Sequence, residues 1–567
     1  MKVALLAGLV LVAASAASAQ DVPSEMLSPT ISMSKVDWDA AAASVPGKSE
    51  EPAREVFVRL NAATSGQFPG IADSTVPVLL PLDIAATLKD KDAGKAPNEV
   101  LAGGFRASKF FLPGPAGYDA TFFIKSSEVP GLGVRYPRPI EVEIAGAAFF
   151  YELEAPSVVE SKETPHAIET EFPGMRRILR EGRMRYAFTR FGVPYVVSID
   201  CFDGRVSGRR LACADVDQVA VRFLRTLQVA GGTPQPPRKP PSIDLTRPQV
   251  VSLSFTYHSS GSLIPNSGYK LASGRPDNHV YARIRFPLAE APAYAKSQSF
   301  MPWGDCYMKG KIGRTNYKGA PYRCRLNDKQ LVFDESAPEN FSYPWRDNFC
   351  ETRDLRVGQC PAGIGHQGQD IRTSTCVLRN EGADRCQPYQ HDIAAVRDGM
   401  IWRNSVQDFV YEAVYLVINT ANDRVRFRYL HLDPKRMDAD GLESGRRVAQ
   451  GEIIGKVGNY NKKENGTSYH LHFDVQVWTR DGWVWVNPYM TLVSAYERLI
   501  GARGTEIKDG EPEPAAVPGI PPQVGALLPA PALTTAPAPA VQQTVATKPK
   551  PARRYGRRKS RSDDETN

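Results

Sequence analysis

The chain has 567 residues, 42% of them hydrophobic and 23% charged, which allows several buried cores and excludes a wholly disordered, collagen-like or many-span membrane chain. Its formal charge is +8, yet eight cations fall between Lys548 and Arg561 in a stretch with no apolar pattern. The remainder is near neutral, so the charge calls for no specific nucleic-acid partner.

Residues 1–19 read as a secretory signal peptide: Lys2, an apolar run from Val3 to Ala14, then Ala17-Ser18-Ala19 as a small-residue cleavage site. The run is short for a membrane span. No cysteine precedes Cys201, which excludes a lipid-modified cysteine at the mature N-terminus. We expect an exported, soluble protein cleaved near Ala19, with no transmembrane span once mature; an uncleaved anchor is the alternative. The eight cysteines are an even number without a C-x-x-C pair, as suits an oxidising compartment. Sequential pairing is preferred (Cys201 with Cys213, Cys306 with Cys324, Cys350 with Cys360, Cys376 with Cys386), although spacing alone leaves the connectivity open.

Residues 20–53 lack apolar periodicity and are predicted to be extended or mobile. Across 54–230, β-type runs (Val56-Phe57-Val58, Val76 to Leu80, Thr121 to Ile124, Tyr195 to Ile199) alternate with Gly and Pro. Asp215 to Gln228 is predicted as an amphipathic helix, because Val216, Val219, Phe223, Leu224 and Leu227 recur at helical spacing. This predicts an α+β domain of unassigned role. The prolines of GGTPQPPRKPP make 231–248 a stiff linker. Residues 249–342 read as β-rich, from Val250 to Phe255 and His279 to Phe286, and run without a break into 343–500. From 508 to 567 the chain is Pro/Ala-rich, then basic, and is predicted to be disordered. Its cations suit a tether to anionic envelope components.

Four histidines, His366, His431, His470 and His472, sit in contexts that suit a metal site. His366-Gln367-Gly368-Gln369-Asp370 offers an imidazole and a carboxylate with a glycine between them that permits a close turn. His470-Leu471-His472 lies in a strand-like context, where alternation puts both imidazoles on one face. The run Arg424 to Leu432 follows the strand Tyr411 to Ile418 through the hairpin signal Asn422-Asp423. Alternation of Val425, Phe427, Tyr429 and His431 places His431 at the end of an apolar row, where a lone histidine is more often structural. Together, His366, Asp370 and one histidine of the pair have the composition of a catalytic zinc site with its fourth position open for water. Zinc would acidify that water and polarise a carbonyl, and the two remaining histidines would move protons and stabilise an oxyanion.

The ordered set H-x-G-x-D, Tyr429-Leu430-His431-Leu432, Gly451 to Gly458 (GEIIGKVG), His470-Leu471-His472-Phe473 and Val486-Asn487-Pro488-Tyr489 resembles the lysostaphin/LytM-type zinc endopeptidases of bacterial cell walls, over about Tyr343 to Leu492. The resemblance implies Zn2+ held by His366, Asp370 and His472, with His431 and His470 as catalytic histidines. It also implies a C-terminal antiparallel, barrel-like β domain of the duplicated hybrid motif type, within a chain that is mainly β. Gln369 departs from the apolar residue usual before the aspartate, and an insertion bearing Cys376 and Cys386 is expected to form a stapled loop near the cleft. The aromatics of Ser342 to Cys350 are expected to be structural.

That family cuts stem peptides or bridges of peptidoglycan. With export and disulfides, the resemblance implies a periplasmic D,D-endopeptidase acting on D-alanyl to diaminopimelate cross-links. The alternatives are a non-catalytic regulator that activates other wall hydrolases, or a secreted protease acting on proteins. A carboxypeptidase of the related D-alanyl-D-alanine type would want an acidic residue at Thr467.

Overall fold

The computed structural model describes residues 30–47, 51–94, 96, 98–132, 139–153, 166–180, 183–201, 211–240, 242–262, 280–296, 307–308, 311–312, 325–326, 329–330, 338–351, 360, 365–373, 386–403, 415–420, 423–461, 463–508 and 510–512. The signal-like segment, the basic tail, and Cys306, Cys324 and Cys376 lie outside these residues.

Helical periodicity begins earlier than expected. Val56, Phe57, Leu60 and Thr64 form the buried stripe of helix Ala53–Thr64, and Val58 is 63% exposed. This corrects the strand expected at Val56-Phe57-Val58: three β-type residues are outweighed by apolar recurrence over a longer window. The segment 20–53, expected to be extended, holds strand Ile31–Met33 and helix Trp38–Ala43. Asp37 caps that helix by accepting from the Ala40 amide at 2.9 Å, and Trp38 meets Phe57 edge-on at 4.8 Å.

A six-stranded antiparallel sheet follows, ordered Arg106–Gly114, Gly117–Ile124, Ile140–Ala147, Val193–Asp200, Arg183–Arg190, Arg176–Arg180. One face packs against helix Val216–Arg225, whose Phe223 meets Phe105 at 4.9 Å and Phe122 at 5.5 Å. The helix stops short of the predicted Gln228 because Leu227–Gly231 pairs antiparallel with Val78–Pro81. Gly231, the first residue of the predicted linker, therefore ends a strand, and residues 232–240 continue without a ladder.

The C-terminal sheet is ordered Tyr294–Ala295, Gln369–Arg372, Leu471–Thr479, Val425–Leu430, Tyr415–Asn419, Gly399–Arg403, Arg447–Val448, with Gly482–Val486 added to the Leu471–Thr479 strand. Its pairings are antiparallel, and the chain is mainly β, as expected. Alternation separates two faces. Phe427, Tyr429, Phe473, Val475 and Val477 enter the core, while Arg426, Arg428, His472, Asp474 and Gln476 share the other face in register. Over its described residues, 280–286, the strand expected at His279 to Phe286 forms no ladder. Its alternating residues instead pack on helix Tyr489–Ile500, with Tyr281 Oη 2.9 Å from Ser494 Oγ and the Ala282 amide donating to Thr491 Oγ1 at 3.1 Å. Trp345 packs tilted against Tyr496 at 4.7 Å and edge-on against Phe255 at 5.0 Å, and Tyr343 and Phe349 are buried with it, so the aromatics of the Ser342 to Cys350 run are structural. Disulfides join Cys201 to Cys213 and Cys350 to Cys360, two of the sequential pairs, and Cys386 is also disulfide-bonded.

The second face of the N-terminal sheet lies against the polar face of the C-terminal one. There Trp402 Nε1 donates to Glu141 Oε1 at 3.1 Å. Burial, followed by the nearby Asp200 carboxylate, pushes Glu141 from its ordinary 4.5 to about 8. A carboxyl raised in this way favours the folded state only while protonated, and that contribution is lost as pH rises through about 8. Glu141→Gln is expected to raise Tm at pH 8 by about 2 °C or more, roughly 1 kcal/mol, and to leave it unchanged near pH 5. Thermal unfolding at the two pH values checks this; an equal shift at both would contradict it.

Candidate metal centre

Register brings the first two side chains together. Asp370 pairs directly with His472 across the Gln369–Arg372 and Leu471–Thr479 strands, so both project from the polar face. Gly368 permits the approach, because a Cβ there would stand 2.4 Å from Phe473 O and 2.9 Å from His472 Nε2. Gly368→Ala is expected to cost about 1–3 kcal/mol as an overpacked site, read as a lowered denaturant midpoint; an unchanged midpoint would show that the strands part easily.

His366, just upstream, closes the group. His366 Nε2 lies 2.9 Å from His472 Nδ1 and 3.3 Å from Asp370 Oδ1, and His472 Nδ1 lies 3.1 Å from Asp370 Oδ1. Ligands at tetrahedral zinc distances of ~2.0–2.1 Å stand about 3.3 Å apart, so this triangle has the size of one face of such a site. The outer nitrogens fix the tautomers. His366 Nδ1 donates to Asn348 O at 2.8 Å, and His472 Nε2 donates to Asp474 Oδ2 at 3.2 Å. Each ring then turns a lone pair inward beside the Asp370 carboxylate, an arrangement that a shared cation stabilises. His366, Asp370 and His472 are thus the residues that could hold a metal.

His431 and His470 stand beside the triangle, with ring centroids 4.5 Å apart and His431 6.2 Å from His472. His470 Nε2 reaches within 3.3 Å of Asp370 Oδ1, and its Nδ1 donates to Ser468 O at 2.8 Å. His431 does not continue the apolar row as alternation predicted. The strand ends at Leu430, and the positive φ of His431, 72°, turns its ring away from the core side of Tyr429 toward His470. This is an uncommon backbone region for a non-glycine residue. Its Nδ1 donates to Tyr460 O at 2.9 Å.

All five side chains are buried. Burial opposes ionisation of Asp370, yet His366 and His470 hold its carboxyl well below the usual carboxylate range. Burial, reinforced by His470 and His472, drives His431 well below the usual imidazole value, so it is neutral. Burial would lower His472 too, but its bonds to Asp370 and Asp474 raise it.

The supports of the triangle carry no motif of their own in the sequence. Asp474 continues the alternation of residues 470 and 472 and was legible on that ground. It is held by Arg428 at 2.7 Å and by Trp485 Nε1 at 3.1 Å. Asn348 backs two members of the triangle, since its side chain also accepts from the Asp370 amide at 3.2 Å. Gln369, the departure noted above, is fully buried. It accepts from the Asn348 amide at 3.1 Å and donates to Asp347, and Asn487 of the V-N-P-Y motif donates to the same carboxylate at 2.6 Å. An amide at 369 therefore ties the metal strand to the segment that orients His366.

The family model described as Peptidase family M23 matches residues 379–488, a span that holds His431, His470 and His472 and begins after His366 and Asp370. The chain carries a peptidase domain of family M23, the family of the lysostaphin/LytM-type enzymes. Similar solved structures include one assigned as the glycyl-glycine endopeptidase lytM from Ruminococcus gnavus ATCC 29149, at 22% identity over 25% of this chain and 50% of that one, with a TM-score of 0.18. Another is the antimicrobial peptidase lysostaphin from Staphylococcus simulans, at 19% identity over 23% of this chain and 45% of that one, with a TM-score of 0.16. The chain spans about half the length of these structures. No curated protein matches it.

Proposed function

We propose that the chain is a zinc-dependent endopeptidase that hydrolyses peptide cross-links of bacterial peptidoglycan, as a D,D-endopeptidase of the periplasm. The observation that carries this reading is the triangle of two inward lone pairs and one carboxylate at 2.9–3.3 Å beside two further histidines, inside a chain with an M23 peptidase domain. The donor set fits zinc: His366 Nε2, Asp370 Oδ1 and His472 Nδ1 would hold it. Zinc, when bound, supplies Lewis-acid polarisation of the scissile carbonyl and acidifies water.

The chain's own residues do the rest. Neutral His431 keeps its Nδ1 proton on Tyr460 O, which leaves Nε2 as the lone pair that can take a proton from the attacking water. His470, anchored through Nδ1 on Ser468 O, presents Nε2 beside Asp370 Oδ1. A proton carried on that Nε2 would donate to the charge developing on the carbonyl oxygen, and the proton taken up by His431 is the one returned to the departing amine. Asp474 and Asn348 O hold the two ligand rings in register. Asp474→Asn is expected to weaken zinc binding ~10–100-fold, measured by competition with a chromogenic chelator; unchanged affinity would remove Asp474 from the support.

Export is supported by the signal-like residues 1–19 and by the disulfides Cys201–Cys213 and Cys350–Cys360, which suit an oxidising envelope. No helix among the described residues is long and apolar enough to cross a membrane. The basic tail, Lys548 to Arg561, is read as a tether to anionic envelope components. The test is incubation of the purified protein with cross-linked muropeptide dimers, with zinc and after chelation. Dimers should fall to monomers only with zinc; persistence of dimers in both arms would overturn the reading.

A further inference from the structure

Among the described residues, six non-glycine residues have positive φ, and three of them, Tyr389 at 64°, His431 at 72° and Asn465 at 56°, bear on one short run, residues 457–460. That run braces both histidines beside the triangle. The Tyr460 amide donates to His431 O at 3.2 Å, Tyr460 O accepts from His431 Nδ1 at 2.9 Å, and the His470 amide donates to Gly458 O at 3.3 Å. On the far side, the Asn465 amide donates to Asn459 Oδ1 at 3.2 Å. Backbone held in such sparsely populated regions persists only where its surroundings over-determine it.

What presses this run onto His431 is a residue with no part in the chemistry above. Residues 389–391 extend the antiparallel pairing of strands Asp392–Ala394 and Ile453–Lys456: the Tyr389 amide donates to Val457 O at 2.7 Å, and the Val457 amide donates to His391 O at 2.9 Å. The left-handed backbone at Tyr389 then sets its ring on Gly458. A Cβ at Gly458 would stand 2.7 Å from Tyr389 Cε1 and 2.3 Å from His431 O, so ring, glycine and carbonyl leave no room for a methyl group between them. The Arg436 guanidinium lies over the ring, 4.4 Å from its centre, and Arg436 belongs to helix Pro434–Ala439, which begins three residues after His431. The ring is thus held between the run that braces His431 and the helix that follows it. Its hydroxyl has no hydrogen-bond partner among the described residues, so the fold uses the ring and not the phenol oxygen.

We propose that Tyr389 is a positioning residue for His431: its ring wedges residues 457–460 against the left-handed turn and so fixes where His431 Nε2 points. The consequence for turnover rests on the peptidase reading above; the consequence for the turn does not. A proton acceptor displaced by about 1 Å costs as much as ~10²-fold in rate, while the triangle keeps its own supports in Asn348 and Asp474.

The test compares the zinc-loaded full chain with Tyr389→Ala, Tyr389→Leu and Tyr389→Phe. Leucine keeps apolar volume at the site but ends one bond short of Cε1, so it serves where a cavity would unfold the chain. The Ala and Leu variants should keep one zinc per chain and lose ~10-fold or more of kcat on cross-linked muropeptides at unchanged KM. Phe should restore both the ring and the rate. Hydrogen exchange read by mass spectrometry over residues 457–461 should show the Tyr460 amide exchanging ~10-fold faster in the Ala and Leu variants and as in wild type in Phe. A ring that only fills space would lower Tm in the Ala and Leu variants and leave kcat unchanged. A folded Leu variant with wild-type kcat therefore overturns the proposal, and so does failure of Phe to restore the rate. Faster exchange at Tyr460 with no cleavage by any form would sink the peptidase reading and leave the wedge standing. Zinc-dependent cleavage at one rate by all four forms, with exchange unchanged, would do the reverse.

Discussion

Replacing His472 by Ala is expected to release the metal and reduce peptide hydrolysis to background, with the N-terminal sheet still folded. Three donors at 2.9–3.3 Å make a site whose affinity depends on all of them, and two remaining ligands do not hold zinc against solvent. The same loss is expected for His366→Ala and Asp370→Ala. The Asp370 case removes the only anionic ligand and leaves inward lone pairs with no compensating charge. Zinc per chain, measured by elemental mass spectrometry, and turnover on cross-linked muropeptides check the prediction together. A His472→Ala protein with one zinc per chain and full turnover would show the ligand assignment to be wrong.

The second large effect separates binding from chemistry. His431→Ala and His470→Ala should retain zinc and lose turnover by ~10² or more, the usual contribution of a proton-transfer or oxyanion partner. His431 stands at φ 72°, so an alanine there also strains the backbone. His431→Asn, whose side chain tolerates that region, should lose turnover equally and so isolate the missing imidazole. Either position replaced with wild-type kcat retained would remove that histidine from the mechanism.

Much of this centre was legible because its residues follow simple spacing. H-x-H sets its two imidazoles on one side at the start of strand Leu471–Thr479, H-x-G-x-D sets Asp370 on the neighbouring strand with His366 just upstream of it, and the register that puts Asp370 opposite His472 needs no further device. The orientation of His431 was not legible: alternation pointed it into the core, and only a left-handed residue at the strand end reverses it. Arg428 and Trp485 were missed because their role depends on which strands become neighbours, and local pattern does not carry that. At the N-terminal end, Val56-Phe57-Val58 misled because β-type side chains were weighed over three residues while the buried stripe spans Val56 to Thr64. Gln369, which looked like a departure, became intelligible only with the Asp347 carboxylate beside it.

The most direct measurement is mass spectrometry of peptidoglycan digested by the zinc-loaded wild-type chain and, in parallel, by His470→Ala. Wild type is expected to convert cross-linked dimers to monomers by adding one water at the D-alanyl to diaminopimelate peptide bond, with glycan strands intact, and His470→Ala, still holding zinc, to leave the dimers whole. Intact dimers after wild-type treatment, cleavage confined to the glycan, or equal cleavage by the two proteins would contradict it.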